Sequence, residues 1–179
     1  MLDMLRLLGH IPSQRLDFGY PDHAELVDSN HPYFIYFNGA SQPRKVLKND
    51  QVMALMELAV KTFPEVKHIF LEGVNESEKG DFLSHLTSYD NFVIQPCMPL
   101  EELLTFCAKA QLVVAPDTGV RNVAISTHTP TVGIFYATVP FRYTPRHEAI
   151  HHIVMNASCA IPTNEQIVHT TALAYSAAN

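Results

Sequence analysis

The segment Leu112-Val113-Val114-Ala115-Pro116-Asp117-Thr118-Gly119 most constrains how this chain can fold. A short apolar run is cut by Pro and then by Asp-Thr-Gly, and Val120, Val123, Ala124 and Thr127 follow at helical spacing. The pattern predicts a buried strand, a tight turn and a helix. In open α/β sheets, ligands gather where strands end and helices begin, because the first N–H groups of a helix are unpaired. One segment thus indicates both a fold class and a place for chemistry.

The same alternation extends from residue 33 onward. Strands are predicted at Tyr33 to Phe37, His68 to Leu71, Phe92 to Ile94, Leu112 to Ala115, Thr131 to Phe135 and Ile150 to Met155. Helices are predicted after the Asn49 cap, over Asn75 to Leu86, after Pro99 (Leu100, Leu103, Leu104, Cys107), after Asp-Thr-Gly, and from a Thr163–Gln166 capping box to about Ala178. Strands separated by helices imply a Rossmann-like α/β/α sandwich around a parallel sheet of about six strands. Right-handed crossovers put every strand-to-helix turn on one sheet edge. A 3-2-1-4-5-6 strand order would then set the turn at Asn38–Ser41 opposite the turn at Asp117–Gly119. Residues 1–30 carry Pro, Asp and His with weak periodicity and read as a lead-in to a domain at 31–179.

Composition narrows the function. Net charge is −6 with no basic run, which argues against a nucleic-acid partner. Three scattered cysteines suit a reducing, cytoplasmic setting, and Cys97 and Cys107 read as buried structural thiols. There is no apolar run of membrane length.

Two turns carry candidate chemistry. In Asn38-Gly39-Ala40-Ser41-Gln42-Pro43-Arg44-Lys45, Gly39 permits close backbone approach, Ser41 offers a hydroxyl, and Arg44 and Lys45 offer positive charge. These groups suit a phosphate, although the P-loop pattern is absent. At the second turn, Thr118 and Gly119 open a helix, while Asp117 is suited to capping it or to accepting bonds from sugar hydroxyls.

Two motif matches point elsewhere. Asp-Thr-Gly is the aspartic protease signature, but that chemistry needs two copies sharing a proton, and here one copy sits in an α/β pattern. His147-Glu148-Ala149-Ile150-His151 matches the zinc hydrolase motif H-E-x-x-H, which works only on a helix. A strand is favoured here and would hold the two histidines about 13 Å apart, leaving them as a solvated strand entry.

Taken together, Gly39-Ala40-Ser41-x-Pro43-x-Lys45, Leu71-x-Gly73-x-x-Glu76, Leu112-Val113-Val114-x-x-Asp117-Thr118-Gly119 and Thr129-Pro130-Thr131-Val132-x-x-Phe135 resemble glycosyltransferase family 9, the ADP-heptose:lipopolysaccharide heptosyltransferases. The resemblance implies the C-terminal, donor-binding half of a two-domain GT-B architecture. It implies that Gly39, Ser41 and Lys45 hold a donor pyrophosphate, with Thr118 and Gly119 donating at the helix start. Asp117 would orient the sugar, and Glu76 would contact the nucleoside or sugar. It implies inverting transfer of a heptose from ADP-heptose to a lipopolysaccharide or other glycan acceptor, with no cofactor and no obligatory metal. Acceptor and general base would come from an N-terminal domain not in this sequence. The expected location is cytoplasmic, peripheral to the inner membrane. Two positions depart from the family pattern. Asn122 stands where His is usual, and Tyr136 where Gly is frequent. A non-catalytic interaction module, its cleft plugged by side chains such as Tyr136, is the alternative expectation.

Overall fold

A computed structural model describes residues 19–20, 31–145 and 148–178. Most of the lead-in, and His147, lie outside the described residues.

Six parallel strands form one sheet: β1 (Tyr33–Tyr36), β2 (Lys67–Leu71), β3 (Phe92–Gln95), β4 (Leu112–Pro116), β5 (Thr131–Ile134) and β6 (His151–Val154). Their order is β3-β2-β1-β4-β5-β6, the order under which the two turns were expected to face each other. Strands β1 and β4 pair directly, with Ile35 opposite Val113. This pairing brings the turns after β1 and β4 side by side.

Side chains alternate across the sheet, so each central strand feeds two cores. Phe34 and Tyr36 of β1 join Val114 and Ile134 beneath α1 (Asn49–Thr62) and α4 (Asn164–Ala178). Tyr33 and Ile35 join Val113 and Ala115 beneath α2 (Leu100–Lys109) and α3 (Gly119–Ser126). The apolar face predicted for α1 is buried at Val52, Met56, Ala59 and Val60, with Phe63 just beyond its end. The capping box of α4 forms as expected. Thr163 N–H donates to Gln166 Oε1 (2.9 Å), and Gln166 N–H donates to Thr163 Oγ1 (3.3 Å).

Several local expectations fail for identifiable reasons. The helix predicted at Asn75 to Leu86 is instead two 3-10 segments, Glu76–Glu78 and Asp81–Ser88, separated at Gly80. Leu83 and Leu86 are the buried pair there, and their spacing of three suits a 3-10 helix. Asn49 is the first residue of α1 rather than its cap. Extended Lys48 takes the cap position, its N–H donating to Gln51 Oε1 (3.3 Å). Pro99 caps α2 instead of starting it. Of the stripe predicted for α2, Cys107 is buried and Leu103 packs against the core, but the buried face is shifted toward Thr105 and Phe106 and leaves Leu100 58% exposed. Cys107 is buried and its thiol is pushed up to about 12 by desolvation, whereas Cys97 is exposed, contrary to expectation.

His68 of β2 lies wholly within the α1/α4 core. Its Nε2 is 3.1 Å from the Phe63 carbonyl, which can only accept, so Nε2 carries the proton. Nδ1, 3.1 Å from Tyr36 Oη, then accepts. Burial lowers the pKa of this imidazole against weaker upward pulls from the Phe63 hydrogen bond and Glu65. The folded state therefore keeps His68 neutral while the unfolded chain protonates it near pH 6.5. Stability from this group is full above pH 6.5 and falls on acidification, by up to about 1.4 kcal/mol per pH unit, until the folded pKa is passed. Urea unfolding of wild type and His68→Gln between pH 7.5 and 5.5 should show a shallower acid slope in the variant. Equal slopes would locate the titration elsewhere.

Candidate functional site

The site is built on the sheet edge where β1, β2, β3 and β4 end. After β1, the buried Asn38 amide clamps Leu47. Its Nδ2 donates to the Leu47 carbonyl (2.9 Å), and the Leu47 N–H donates to Asn38 Oδ1 (3.0 Å). Both ends of the intervening loop are thereby pinned, and the 3-10 turn Pro43–Lys45 projects Lys45 toward the end of β4. Lys45 Nζ lies 2.7 Å from Asp117 Oδ2 and 3.4 Å from the Asp117 carbonyl. The Lys45 and Asp117 side chains are only 13% and 6% exposed. Tyr143, from the loop after β5, places its ring 5.8 Å from the same ammonium.

Thr118, not Asp117, is the N-cap of α3, and it makes no side-chain cap bond. Asp117 instead turns its carboxylate to Lys45. The helix start faces open space, since a Cβ placed on Gly119 would meet nothing within 4 Å. A lysine ammonium beside an open helix N-terminus is a matched pair of anion-binding elements. Ser41 and Asn122 are exposed, and Asn122 lies one helical turn further along α3.

Next to this edge, on the α2/α3 side, lies a cavity of about 190 Å³. Its apolar walls come from Phe37, Leu71, Met98, Leu103 and Val120, and Glu72 and Glu78 also line it. Glu78 bridges the ends of β1 and β2: a Cβ on either Gly39 or Gly73 would run into its carboxylate. Glu78 Oε2 also accepts from the Asn75 N–H and Asn75 Nδ2, both at 3.1 Å. Glu76 is exposed on the same short 3-10 turn. The sequence pattern singled out Glu76, yet it is Glu78 that reaches the two glycines.

A second residue escaped the sequence reading. Arg121 is fully buried in α3. Its guanidinium stacks on Phe135 (5.2 Å), and donates from Nη1 to the Tyr143 carbonyl (3.0 Å) and from Nη2 to Thr144 Oγ1 (3.1 Å). Desolvation lowers its pKa to about 10 against the pull of Asp117, so it stays cationic at neutral pH. The available signal was a charged residue immediately after Val120, at the start of the buried stripe Val120, Ala124.

Residues 14–171 match the sequence model of glycosyltransferase family 9 (heptosyltransferase). The chain belongs to this family. A curated relative, lipopolysaccharide heptosyltransferase 1 of Campylobacter coli, is 32% identical over 109 residues, 58% of this chain and 31% of that protein. Among solved structures, E. coli heptosyltransferase WaaC with ADP-2-deoxy-2-fluoro heptose superposes with a TM-score of 0.73 at 15% identity, over 96% of this chain and 53% of that one. UDP-GlcNAc 2-epimerase of Neisseria meningitidis, bound to UDP-GlcNAc, gives a TM-score of 0.62 at 12% identity over 99% and 44%. These likenesses establish the shared fold. The chain spans about a third of the curated relative and about half of the WaaC chain.

Family membership also bears on the two decoy motifs. The Asp-Thr-Gly turn sits in a parallel α/β sheet and its aspartate is ion-paired with lysine. His151 opens strand β6 at the opposite sheet edge, and is buried rather than solvated. Its Nδ1 is 3.2 Å from Thr131 Oγ1 and its Nε2 is 3.2 Å from Glu148 Oε2. Glu148 also meets His128 Nδ1 at 2.7 Å. Both ring nitrogens of His151 are thus committed to protein groups, and Glu148 to Ile150 lie in a loop and turn before β6 rather than on the helix that the zinc motif needs. The Tyr136 ring packs against the α1/α4 core, on the other face from the 190 Å³ cavity, and does not line it.

Among the described residues, no helix is long and apolar enough to cross a membrane.

Proposed function

We propose that this heptosyltransferase-family domain binds the nucleotide-sugar donor, with the diphosphate between Lys45 and the N-terminus of α3 and the nucleoside in the adjoining cavity. The observation that carries this reading is the placement of the Lys45 ammonium beside an open helix start and next to a mostly apolar cavity of about 190 Å³. Pockets for drug-sized ligands run about 300–1,000 Å³, so this one suits a single planar ring system. Glu78, at the mouth, is an acceptor for ribose hydroxyls or an exocyclic amine. Ser41, Thr118 and Gly119 are placed on the open side, where sugar and phosphate oxygens would lie. Asp117 then turns from Lys45 to the sugar hydroxyls as phosphate takes its place.

In the reaction we propose, heptose passes from ADP-heptose to a lipopolysaccharide acceptor with inversion. As the glycosidic bond to the diphosphate breaks, negative charge grows on the departing ADP. Lys45 and the helix dipole stabilise that charge best in the transition state. The acceptor and its general base belong, in this reading, to polypeptide outside the described residues. The relatives named for heptosyltransferase activity support the choice of ADP-heptose over UDP-sugars.

Calorimetric titration of the protein with ADP-heptose, ADP, UDP and inorganic pyrophosphate tests the assignment. ADP and ADP-heptose should bind more tightly than pyrophosphate. Val120→Phe, which fills the cavity, should weaken ADP about tenfold or more, the equivalent of about 1.4 kcal/mol, and leave pyrophosphate nearly unchanged. Absence of ADP binding by the wild-type protein would sink the donor-site reading.

A further inference from the structure

We infer that Arg121 is a positioning residue for the diphosphate site: it fixes the Tyr143–Thr144 segment so that the Tyr143 ring holds the Lys45 ammonium at the Asp117 turn. The inference rests on the donor-binding reading only for its consequence in affinity. The positioning itself stands on the contacts of this chain.

Four contacts close a ring. Arg121 donates to the Tyr143 carbonyl and the Thr144 hydroxyl. The Tyr143 ring receives Lys45. Lys45 pairs with Asp117. Asp117 and Arg121 belong to one continuous turn-and-helix segment, four residues apart, so the ring returns to its start. In the loop after β5, Pro140 is buried, whereas Val139, Phe141 and Tyr143 are 56%, 70% and 42% exposed, so apolar burial acts mainly at Pro140 and leaves the Tyr143 end to polar contacts. The guanidinium supplies two hydrogen bonds that tie the Tyr143–Thr144 end of this loop to α3.

Arg121 is also poorly suited to a purely stabilising role. A buried guanidinium carries a desolvation penalty that a well-packed apolar side chain avoids. Its Nε is buried without a hydrogen-bond partner, so even its own donors are not fully satisfied. The strand beside it is shaped to admit it nonetheless. A Cβ on Gly133 would stand 2.7 Å from Arg121 Nε and 3.0 Å from Cζ, so the missing side chain makes the slot in which the guanidinium lies. The two donors that are satisfied both point at the loop that covers Lys45.

Lys45 itself is the readout. In the wild-type protein, acetylation of Lys45 by an amine-reactive acetyl ester, followed by peptide mass spectrometry, should be slow relative to exposed Lys48. Arg121→Met, Tyr143→Ala and Thr144→Val should each speed it. ADP affinity, measured on the same proteins, should fall about three- to tenfold for Arg121→Met and for Tyr143→Ala, the range of a lost partly buried cation–π contact. The Arg121→Met/Tyr143→Ala double variant should be no weaker than the weaker single, since both act through one contact. Tyr143→Phe keeps the ring and should match wild type. If Arg121→Met does not fold, Tyr143→Ala at an exposed position and Thr144→Val at a half-buried one carry the test alone. Unchanged Lys45 reactivity in the variants overturns the inference, as do additive losses in the double variant. Should wild type bind no ADP while Lys45 protection still depends on Arg121, the donor-site reading falls and the positioning role stands.

Discussion

Lys45→Ala should reduce ADP affinity by about 30-fold or more while leaving the protein folded. The magnitude follows from what the ammonium provides. A charge-assisted hydrogen bond to an ionised group is worth about 1.5–3 kcal/mol, and each 1.4 kcal/mol is tenfold in a binding constant. No described neighbour is placed to replace it. Arg44 is exposed and its Nε is bonded to Gln42 Oε1 (2.9 Å). Arg121 is committed to the loop after β5. Removing Lys45 has a second effect, because Asp117 is only 6% exposed and loses its counter-ion. That leaves a nearly buried carboxylate beside the position assigned to the diphosphate, so repulsion adds to lost attraction. The double variant Lys45→Ala/Asp117→Asn separates the two effects. It should recover part of the ADP affinity lost by Lys45→Ala, with recovery greatest at low salt. Titration calorimetry at two ionic strengths measures this. Unaltered ADP binding in Lys45→Ala would place the diphosphate elsewhere.

Much of this arrangement was legible in the chain itself, for one physical reason. Parallel strands buried on both faces are nearly continuous apolar runs, and Leu112 to Ala115 or Phe34 to Tyr36 announce themselves without ambiguity. Handedness then put the strand-to-helix turns on one edge, and the supposed 3-2-1-4-5-6 order is the one observed. What sequence did not reveal depends on rotation and reach. The face of α2 was read only in part: Leu103 and Cys107 do meet the core, but the apolar arc is broad enough that packing buries Phe106 and leaves Leu100 exposed. The 3-10 segments after β2 carry a pattern that also fits an α-helix, and the break between them falls at Lys79 and Gly80. Asn38 reads as an ordinary turn residue, yet its amide clamps Leu47 nine positions on. Glu76 and Glu78 are two residues apart, and only the path of the turn shows which one faces Gly39 and Gly73. Arg121 was hidden because a cation next to a buried stripe is ordinarily a solvated neighbour. Its burial depends on Gly133 and Phe135 of a different strand segment.

Phe34→Ala should be the most destabilising single truncation of the fold, at about 3–5 kcal/mol, the range for a buried Phe. Phe34 is fully buried on central strand β1. Its ring meets Phe63 at 5.4 Å, His68 at 5.9 Å and Tyr175 at 5.0 Å, all edge to face. Those partners come from the end of α1, from β2 and from α4, so one deletion loosens three elements at once. For a chain of this size each kcal/mol shifts Tm by about 2–4 °C, which predicts a fall of roughly 6–20 °C by calorimetry or circular dichroism. Phe141→Ala is the matched control. That ring is 70% exposed, and its loss should stay within about 0.5 kcal/mol. The same substitution discriminates between core and site. Phe34 points into the α1/α4 layer, whereas the candidate nucleoside cavity opens on the α2/α3 side through Phe37, Val120 and Met98. A ligand that binds only the folded state stabilises it by an amount set by its concentration and affinity alone. Saturating ADP should therefore add about the same free energy of stabilisation to Phe34→Ala as to wild type, although the variant starts from a lower Tm. Loss of that increment in the variant would mean that the α1/α4 core and the ligand edge are coupled through β1.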